Sequence, residues 1–452
     1  LYKMNGLFIF RKDLRIDDNN ALNNLLEICD NVYCVFIYDI NQLNSNHSSI
    51  NSLFYLSQCV SELNKQLDNK LIVMTGDVQK CVTKIISTTN INYIAFNADF
   101  TNYSRVRDNM IIELCKDKHI NTIINYDDMT TIPMMNLLKG DNSIYVSFGG
   151  FKKNLSDKTN KINPITYTNL KYKIKKLKLD NFVFKLDKPK NIKIVPYKRE
   201  DVIKEIIEYK EIDRDELITE TSLLSTALNF GVVSIREAWV LNNDLRRNLI
   251  WRSYFTCILR FNNSKNNYTN HFIDSKYNSI KWPKININHW NAFVNCKTGF
   301  LLIDAIHKEL QTTGYINNRA RLLLATFWIK YLLVSPYDTK YGSIIGYSKL
   351  LIDCSTSQNN YNHEWVLGSL DLSGRRFAKK GTNPLTGRMI RIDNEMIKKY
   401  DKQCYYIKKW LPHLTDVKIS DLVKWGTKDN NIHPNPLFDW KLKYDEYVLL
   451  FI

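Results

Sequence analysis

The 452-residue sequence lacks several features that would assign a function directly. Its nine cysteines form no Cys-x-x-Cys pair and have no zinc-like histidine spacing, so we expect reduced thiols and no metal site. No Gly-x-Gly-x-x-Gly follows the first strand-like run and no P-loop occurs, which excludes the ordinary dinucleotide and triphosphate fingerprints. The longest apolar run, 322–334, is interrupted by Lys330 and is too short to span a bilayer. No basic leader precedes the first strand-like run, so we expect a soluble intracellular protein of the cytoplasm or nucleus, with no membrane partner.

Basic residues are in excess and are unevenly distributed. The chain has 63 Lys and Arg against 46 Asp and Glu, a net charge of +17, which favours an anionic partner such as nucleic acid. Much of this excess lies in 151–199, with fourteen lysines and one arginine against three aspartates, a pattern typical of a solvated segment. A second basic zone, 372–410, holds eleven basic residues against three acids and favours DNA binding, although a solvated face would have the same composition.

The order of apolar patterns predicts two structural classes in one chain. Over residues 1–130, strand-like runs alternate with stretches of helical period, which indicates a doubly wound parallel sheet (strand-like 6–10, 32–38, 70–74, 92–96 and 121–124; helical 19–28, 51–67, 77–87 and 104–118). Residues 131–199 are interpreted as a long inter-domain linker with solvent-facing lysines. Residues 200–452 are predicted to be all-helical (201–210, 221–229, 234–242, 244–260, 299–312, 316–334 and 394–410). The fold class is therefore α/β followed by all-α.

Two arginines stand at the start of a helix predicted over 315–334. Arg319 and Arg321 are two residues apart, so their side chains point about 200° apart around the axis. The helix is apolar nearly all round, and charges near a buried helix need partners. They form either two structural ion pairs, or one binds a ligand and the other a nucleic-acid phosphate.

Three further patterns have both a structural and a functional interpretation. Thr221-Ser-Leu-Leu-Ser225 opens a predicted helix, where hydroxyls either cap the helix or help to bind an anion. Trp251 and Arg252 are adjacent, which suits a core or the stacking of a base. The polar stretch 353–365 is either a surface loop or the wall of a cofactor pocket.

In their order along the chain, these patterns resemble the motifs of the DNA photolyase/cryptochrome family, most closely the class I cyclobutane pyrimidine dimer photolyases. The resemblance covers nearly the whole chain. The segment FRKDLRIDDNNAL (10–22) is similar to the family's opening motif, and the flavin phosphate motif T-S-x-L-S stands at 221–225. The K-T-G (297–299), N-R-x-R (318–321), N-P (383–384) and W-L-P (410–412) motifs follow in the family's order.

The resemblance implies an antenna domain, a linker and a helical domain that binds FAD. It also implies a deoxyribodipyrimidine photo-lyase, in which photoexcited reduced flavin passes an electron to a pyrimidine dimer flipped out of DNA. On this basis Arg321 would pair with Asp353 beside the flavin, and Asn359 would lie at flavin N5. The implied cofactor-binding residues are Tyr209, Thr221, Ser222, Leu224, Ser225, Arg252, Arg321, Asp353, Ser355 and Asn359. The implied catalytic residues are Asn248, Trp251, Asn359 and Trp365, and the implied DNA-binding residues are Asn248, Trp251, Arg252, Asn318, Arg319 and Trp365.

The chain departs from the family pattern at several positions. Enzymes for the (6-4) photoproduct usually carry histidines where this chain has Asn318 and Leu322, which favours the cyclobutane dimer as substrate. Asn248 replaces the glutamate usual in cyclobutane enzymes, so we expect slower repair or a shifted substrate preference.

The electron-transfer tryptophans of the family are also changed. The one nearest the flavin aligns with His363, the middle one falls near Pro336 or Tyr337, and Trp282 is offset from the outermost. We therefore expect photoreduction of oxidised FAD to be broken or rerouted through Tyr361, Trp328 or Trp365.

Three points stay open at this stage. A cryptochrome has the same fold and flavin, acting either as a DASH-type enzyme on single strands or as a blue-light receptor. The antenna chromophore could be folate, deazaflavin, a second flavin or none. We expect a monomer whose partner is DNA carrying UV lesions.

Overall fold

The N-terminal part of the chain is built on one parallel sheet. A computed structural model describes residues 3–43, 48–145, 147–156, 158, 162–165, 168–179, 186–190, 192–211, 217, 221–261, 280–368, 390–427 and 431–450. Five strands, β1 (Asn5–Phe10), β2 (Asn31–Asp39), β3 (Ile72–Gly76), β4 (Tyr93–Asn97) and β5 (Asn121–Asn125), pair in the order β3-β2-β1-β4-β5. All four pairings are parallel. The predicted doubly wound sheet is therefore confirmed.

Helices cover the faces of this sheet, as the alternating pattern requires. They are α1 (Asn20–Ile28), α2 (Ile40–Leu43), α3 (Ile50–Gln66), α4 (Val78–Thr88) and α5 (Asn102–Asp117). Short polar side chains begin four of them, because a free oxygen can accept from a backbone N–H of the first turn. Asn19, Ser49, Asp77 and Thr101 each make such a cap.

The segment 131–199 contains short helices and contacts the sheet layer. It holds 3-10 turns at Met134–Leu137 and Thr168–Lys173 and the helix α6 (Phe148–Ser156). Lys171 pairs with Asp68, and Lys173 Nζ donates to the carbonyl of Leu26 at 2.7 Å. Some lysines of this basic segment thus bond to the sheet unit, while the proposed domain boundaries remain a prediction.

The remaining described residues contain no strand and are helical, as predicted. The helices are α7 (Arg199–Glu208), α8 (Leu224–Asn229), α9 (Ile235–Leu241), α10 (Arg246–Phe261), α11 (Ile287–Val294), α12 (Leu301–Thr313), α13 (Asn318–Thr326), α14 (Ser343–Leu350), α15 (Thr356–Leu367), α16 (Asn394–Tyr400), α17 (Tyr405–Trp410), α18 (Ile419–Leu422) and α19 (Trp440–Leu449). In the described part of the chain, no helix is both long and apolar enough to cross a bilayer.

Two helices predicted as continuous are divided. The run predicted over 316–334 becomes α13 followed by a π turn, Phe327–Tyr331, and the helix has ended by Leu333, whose φ of 55° is left-handed. The run predicted over 394–410 is broken because the Asp401 carboxylate accepts from the backbone N–H groups of Tyr406 and Ile407, which starts a new helix there. In both places, local hydrogen bonds decide where the helix ends, and the spacing of apolar residues does not reveal them.

A buried set of charged residues joins the sheet unit to the helical part; we call it the charge network. Its members are Arg15, Asp18, Asp128 and Arg236. The Arg15 and Asp128 side chains form an ion pair, and Arg236 pairs with Asp18 at 2.7 Å and with Asp128 at 3.4 Å. Burial alone would lower the pKa of Arg15, but Asp128 outweighs it and raises that pKa. Each guanidinium in the network has a carboxylate partner within the protein.

Candidate functional site: a cleft in the helical part

One cleft of about 490 Å³ brings together every residue proposed for the site from the sequence. Its walls come from α8, α10, α13 and α15 and from the segments that precede α8, α13 and α15. The proposed residues that line it are Tyr209, Thr221, Ser222, Leu224, Ser225, Asn248, Trp251, Arg252, Asn318, Arg319, Arg321, Asp353, Ser355, Asn359 and Trp365. Segments more than 150 residues apart in sequence thus meet at one cavity.

Asp353 is the polar centre of the cleft. Arg321 Nη2 donates to both carboxylate oxygens, at 3.0 and 2.9 Å, and Ser225 Oγ donates to Oδ2 at 2.7 Å. Burial alone would lower the pKa of Arg321, but the Asp353 carboxylate outweighs it and raises that pKa. Arg321 keeps about a quarter of its side chain exposed, against 3% for Asp353. The pair is therefore fixed, while part of the Arg321 side chain still lines the cavity.

The hydroxyl-rich segment is arranged differently from the sequence prediction. Thr221 and Ser222 lie before the helix, which begins only at Leu224, and Leu223 provides no side-chain cap. The helix thus begins three residues later than predicted, and of the two interpretations left open, capping by Thr221 or Ser222 is not seen. Ser225 Oγ is bonded to Asp353. The hydroxyls of this segment are thus part of the cleft lining.

Two tyrosines that the sequence reasoning did not select support the Arg321 side of the cleft. The Tyr315 ring lies 5.0 Å below the Arg321 guanidinium, and its hydroxyl donates to the Ser222 carbonyl at 3.4 Å. Tyr347 donates to the Arg321 carbonyl at 2.8 Å. Burial raises the pKa of both phenols, so they remain neutral donors. A single tyrosine does not change the helical or strand pattern of a sequence. The support that these two tyrosines give to Arg321 is therefore recognised only from their contacts in the structure.

The apolar part of the cleft is aromatic. Trp251 and Trp365 both line it, and Phe255 lies beside Trp251 with ring centroids 5.4 Å apart. On the N-terminal side, Phe148 of α6 stacks on Trp251 with centroids 3.5 Å apart and planes within 1°. Flat aromatic side chains of this kind offer a stacking surface to a base.

Three polar residues of the cleft already have protein partners. Arg252 Nη2 donates to the Leu228 carbonyl at 3.0 Å, and burial lowers the pKa of this arginine to about 10. Asn248 Nδ2 donates to the Tyr209 hydroxyl at 3.2 Å. The Arg319 guanidinium lies 5.5 Å from the Tyr400 ring centroid. Arg319 and Arg321 therefore contact different neighbours, as their spacing on the helix predicts.

Unused acceptors in the cleft wall point to a polar ligand. Burial lowers the pKa of His363 to about 4, so its imidazole is neutral at pH 7, and Nδ1–H donates to the Asn359 carbonyl at 2.8 Å. Its Nε2 is then an acceptor and has no partner among the described residues; the same holds for Gln358 Oε1. A buried acceptor without a donor is costly unless a ligand or water supplies one. Hydroxyls, a fixed guanidinium, aromatic walls and spare acceptors together fit a flavin nucleotide.

A series of aromatic ring contacts leads from His363, in the cleft wall, into the helical part. The His363 ring meets the Tyr347 ring edge-on at 4.6 Å. Tyr347 lies 6.2 Å from Trp328, which lies 5.6 Å from the half-buried Trp290. Of the three rerouting candidates, Trp328 therefore belongs to a continuous series of aromatic rings that starts at the cleft.

The second basic zone is only partly described. Asn383, Pro384 and five of its basic residues (375, 376, 379, 380 and 388) lie outside the described residues. Within the described part, Arg391 pairs with Asp393 and Lys398 pairs with Glu395. Two of the described cations in this zone are therefore paired with neighbouring carboxylates.

Comparison with known proteins gives the family. Residues 7–168 match the family described as DNA photolyase, and residues 245–447 match the FAD binding domain of DNA photolyase. The chain belongs to the DNA photolyase/cryptochrome family. It is similar to the deoxyribodipyrimidine photo-lyase of Synechococcus sp., with 24% identity over 98% of this chain and 96% of the relative. It is also similar to cryptochrome-1 of Sinapis alba, with 24% identity over 90% of this chain and 85% of the relative.

Solved structures agree with this assignment. An archaeal photolyase from Sulfolobus tokodaii, crystallised with two FAD molecules, aligns with a TM-score of 0.79 and 26% identity over 99% of both chains. A class III photolyase from Agrobacterium tumefaciens aligns with a TM-score of 0.81 at 19% identity, which supports the fold. The antenna-plus-FAD-domain architecture expected from the sequence is confirmed, and the match to the FAD domain supports the flavin assignment of the cleft.

Proposed function

We propose that this protein is a deoxyribodipyrimidine photo-lyase that splits cyclobutane pyrimidine dimers in DNA with light and FAD. The observation that supports this most strongly is the composition of one cleft. Its polar side, around Asp353, Arg321 and Ser225, suits a flavin nucleotide, and its aromatic side, with Trp251 and Trp365, suits a flipped-out pyrimidine dimer. Cofactor and lesion would then lie close together, which favours rapid electron transfer.

In this proposal the residues of the cleft bind and orient the reactants. The electron that opens the cyclobutane ring is supplied, and afterwards taken back, by reduced flavin when it is bound and excited by light. Arg321 and the hydroxyls of Thr221, Ser222 and Ser225 would hold the anionic part of the cofactor. Asn359, whose amide Nδ2 donates to the Ile344 carbonyl at 3.0 Å, would present a fixed amide beside the flavin ring.

The DNA side of the cleft would bind the lesion by stacking and by phosphate contacts. Trp251 and Trp365 would cover the flipped dimer and exclude water from it. Asn318 and Arg319, at the start of α13, would contact the dimer or a neighbouring phosphate. The absence of histidine at Asn318 and Leu322 favours the cyclobutane dimer over the (6-4) photoproduct. We propose that the protein acts as a monomer on UV-damaged DNA in the cytoplasm or nucleus.

A DASH-type or signalling cryptochrome is the second candidate. Asn248 favours it, because an amide that donates to the Tyr209 hydroxyl cannot supply the carboxyl group usual in duplex-repairing relatives. Asn248→Glu would separate the two functions: a rise in dimer repair on restoring the carboxyl group supports a slowed photolyase. Repair confined to single strands in both forms supports the DASH-type function.

The test is a light-dependent repair assay on defined lesions. The protein is purified, its flavin is reduced without oxygen, and it is illuminated with oligonucleotides that carry one cyclobutane dimer or one (6-4) photoproduct, in single and double strands. Loss of the cyclobutane dimer only in the light supports the proposal. Bound flavin with no loss of either lesion would contradict it and favour light signalling.

A further inference from the structure

Phe148 is attached to the cleft through a single ring contact. It is the first residue of α6 and comes from the segment between the sheet unit and the helical part. Its ring lies flat on the Trp251 indole, with centroids 3.5 Å apart and planes within 1°. A centroid distance equal to the van der Waals thickness of one aromatic ring means that the rings are almost fully superposed. That face of Trp251 is covered by protein.

Further ring contacts surround this superposed pair. Two electron-rich rings prefer an offset or edge-on arrangement to a face-to-face one. Tyr254, one turn after Trp251 on α10, meets the Phe148 ring edge-on at 5.9 Å and the Trp251 ring at 6.0 Å. Phe151 of α6 is almost completely buried and packs against Tyr254 at 5.1 Å. The backbones of α6 and α10 are thus joined by this cluster, which holds Phe148 over the indole.

Phe148 is not one of the described residues that line the cleft, whereas Trp251 is. The stacked face of the indole is therefore the one turned away from the cavity. Without Phe148, a half-buried tryptophan at a cavity rim could rotate about χ1 and χ2. With Phe148 stacked on it, one face of the indole is covered, and its cleft side remains for a base.

We infer that Phe148 is a positioning residue for DNA recognition: it holds the Trp251 indole so that one side alone is offered to the flipped dimer. This inference rests on the proposed function and adds a residue from outside the cleft to it. Stacking on an indole that is already immobile costs less conformational entropy than stacking on a mobile one. The effect should therefore appear in the affinity for damaged DNA and in its discrimination from undamaged DNA.

The test compares binding of one dimer-containing oligonucleotide with its undamaged twin, in the dark and with flavin bound. Phe148→Ala should weaken binding of the damaged strand by about tenfold, within the range of one base–aromatic stack, with little change for the undamaged strand. Phe148→Tyr keeps the stack and should restore binding. Tyr145→Ala removes another ring of the same segment, one that contacts Phe151 and not Trp251, and is the matched control.

A double-mutant cycle separates positioning from general destabilisation. If Phe148 acts through the indole, Phe148→Ala should have no further effect on damaged-strand affinity in a Trp251→Ala background. Equal effects of Phe148→Ala in both backgrounds, or unchanged affinity of the single variant, would overturn the inference. Failure of the unsubstituted protein to distinguish damaged from undamaged DNA would instead contradict the proposed function. Thermal unfolding of each variant shows that binding is measured on folded protein.

Discussion

The charge network and the cleft are both buried and polar, yet they differ in what they leave unused. In the network, Arg15 and Arg236 have carboxylate partners within the protein, Asp128 and Asp18. In the cleft, Asp353 and Arg321 form a pair as well, but this pair faces a cavity of about 490 Å³. Buried ion pairs as such are weak indicators of function, because structural pairs look the same.

The cleft differs from the network in having hydrogen-bond acceptors without a described partner in the wall of a cavity. His363 Nε2 and Gln358 Oε1 are buried acceptors without a described partner, and both side chains line the cavity. Arg321 also keeps about a quarter of its side chain exposed. The network joins the two parts of the chain, whereas the cleft has the remaining donors, acceptors and volume that a ligand requires. Substitutions should therefore affect stability in one region and flavin binding in the other.

The largest expected effect is on flavin affinity when the polar centre of the cleft is neutralised. Asp353→Asn removes the charge that fixes Arg321, leaves that guanidinium unpaired, and should weaken FAD binding by about 100-fold or more. Flavin retained through gel filtration, followed by titration of the apoprotein, measures it. Asp68→Asn, which removes an exposed carboxylate paired with Lys171, is the control. Equal flavin content in both variants would contradict the assignment of the cleft.

Breaking the charge network should lower the stability of the fold strongly and change flavin affinity little. Arg236→Met leaves Asp18 buried without its main partner, so the free energy of unfolding should fall by about 3–5 kcal/mol. FAD affinity should fall much less than in Asp353→Asn, because neither Arg236 nor Asp18 lines the cleft. Urea unfolding of the apoprotein and a flavin titration measure the two quantities separately. A fall in flavin affinity as large as that of Asp353→Asn would contradict the claim that the network serves stability and the cleft serves flavin binding.

A smaller effect is expected from the neutral imidazole in the cleft wall. The folded pKa of His363, about 4, lies below the usual value of 6.5, so the unfolded chain takes up this proton first. The neutral imidazole therefore contributes its full share to the free energy of unfolding above pH 6.5. This contribution is lost as the pH falls towards 4, and the loss reaches about 2 kcal/mol at pH 5. In the apoprotein, His363→Phe should reduce the loss between pH 7 and pH 5 by that amount.

Urea unfolding at the two pH values tests this dependence. His119→Asn, at an exposed position with left-handed φ that asparagine tolerates, is the control. An unchanged acid loss in His363→Phe would show that the imidazole is not buried in its neutral form.

The smallest expected effect concerns electron supply to the cleft. If electrons reach the flavin along Tyr347, Trp328 and Trp290, then Trp290→Phe should slow photoreduction of the oxidised flavin severalfold in the presence of a thiol, since phenylalanine is harder to oxidise. Repair by chemically reduced protein should be unaffected. Blue-light bleaching of flavin absorbance gives the rate, with Trp410→Phe, outside this series, as control. Equal rates in the two variants would exclude this route.

The strands and most helices were predictable from the sequence, because an element that buries one face has apolar residues at regular spacing. The sequence also selected the cleft residues, through motifs that keep their order along the chain. The π turn at Phe327–Tyr331 and the break at Asp401 were missed, since both depend on local hydrogen bonds within an apolar pattern. The contacts of Phe148 and Tyr315 were missed because they join segments distant in sequence.

A crystal structure of the protein with FAD would test the central claim most directly. We expect electron density for one flavin within the cleft, in hydrogen-bonding distance of Arg321 and beside Asn359, with the aromatic side at Trp251 and Trp365 left open for DNA. Flavin bound elsewhere in the helical part, with the Asp353–Arg321 pair out of contact with it, would contradict the account.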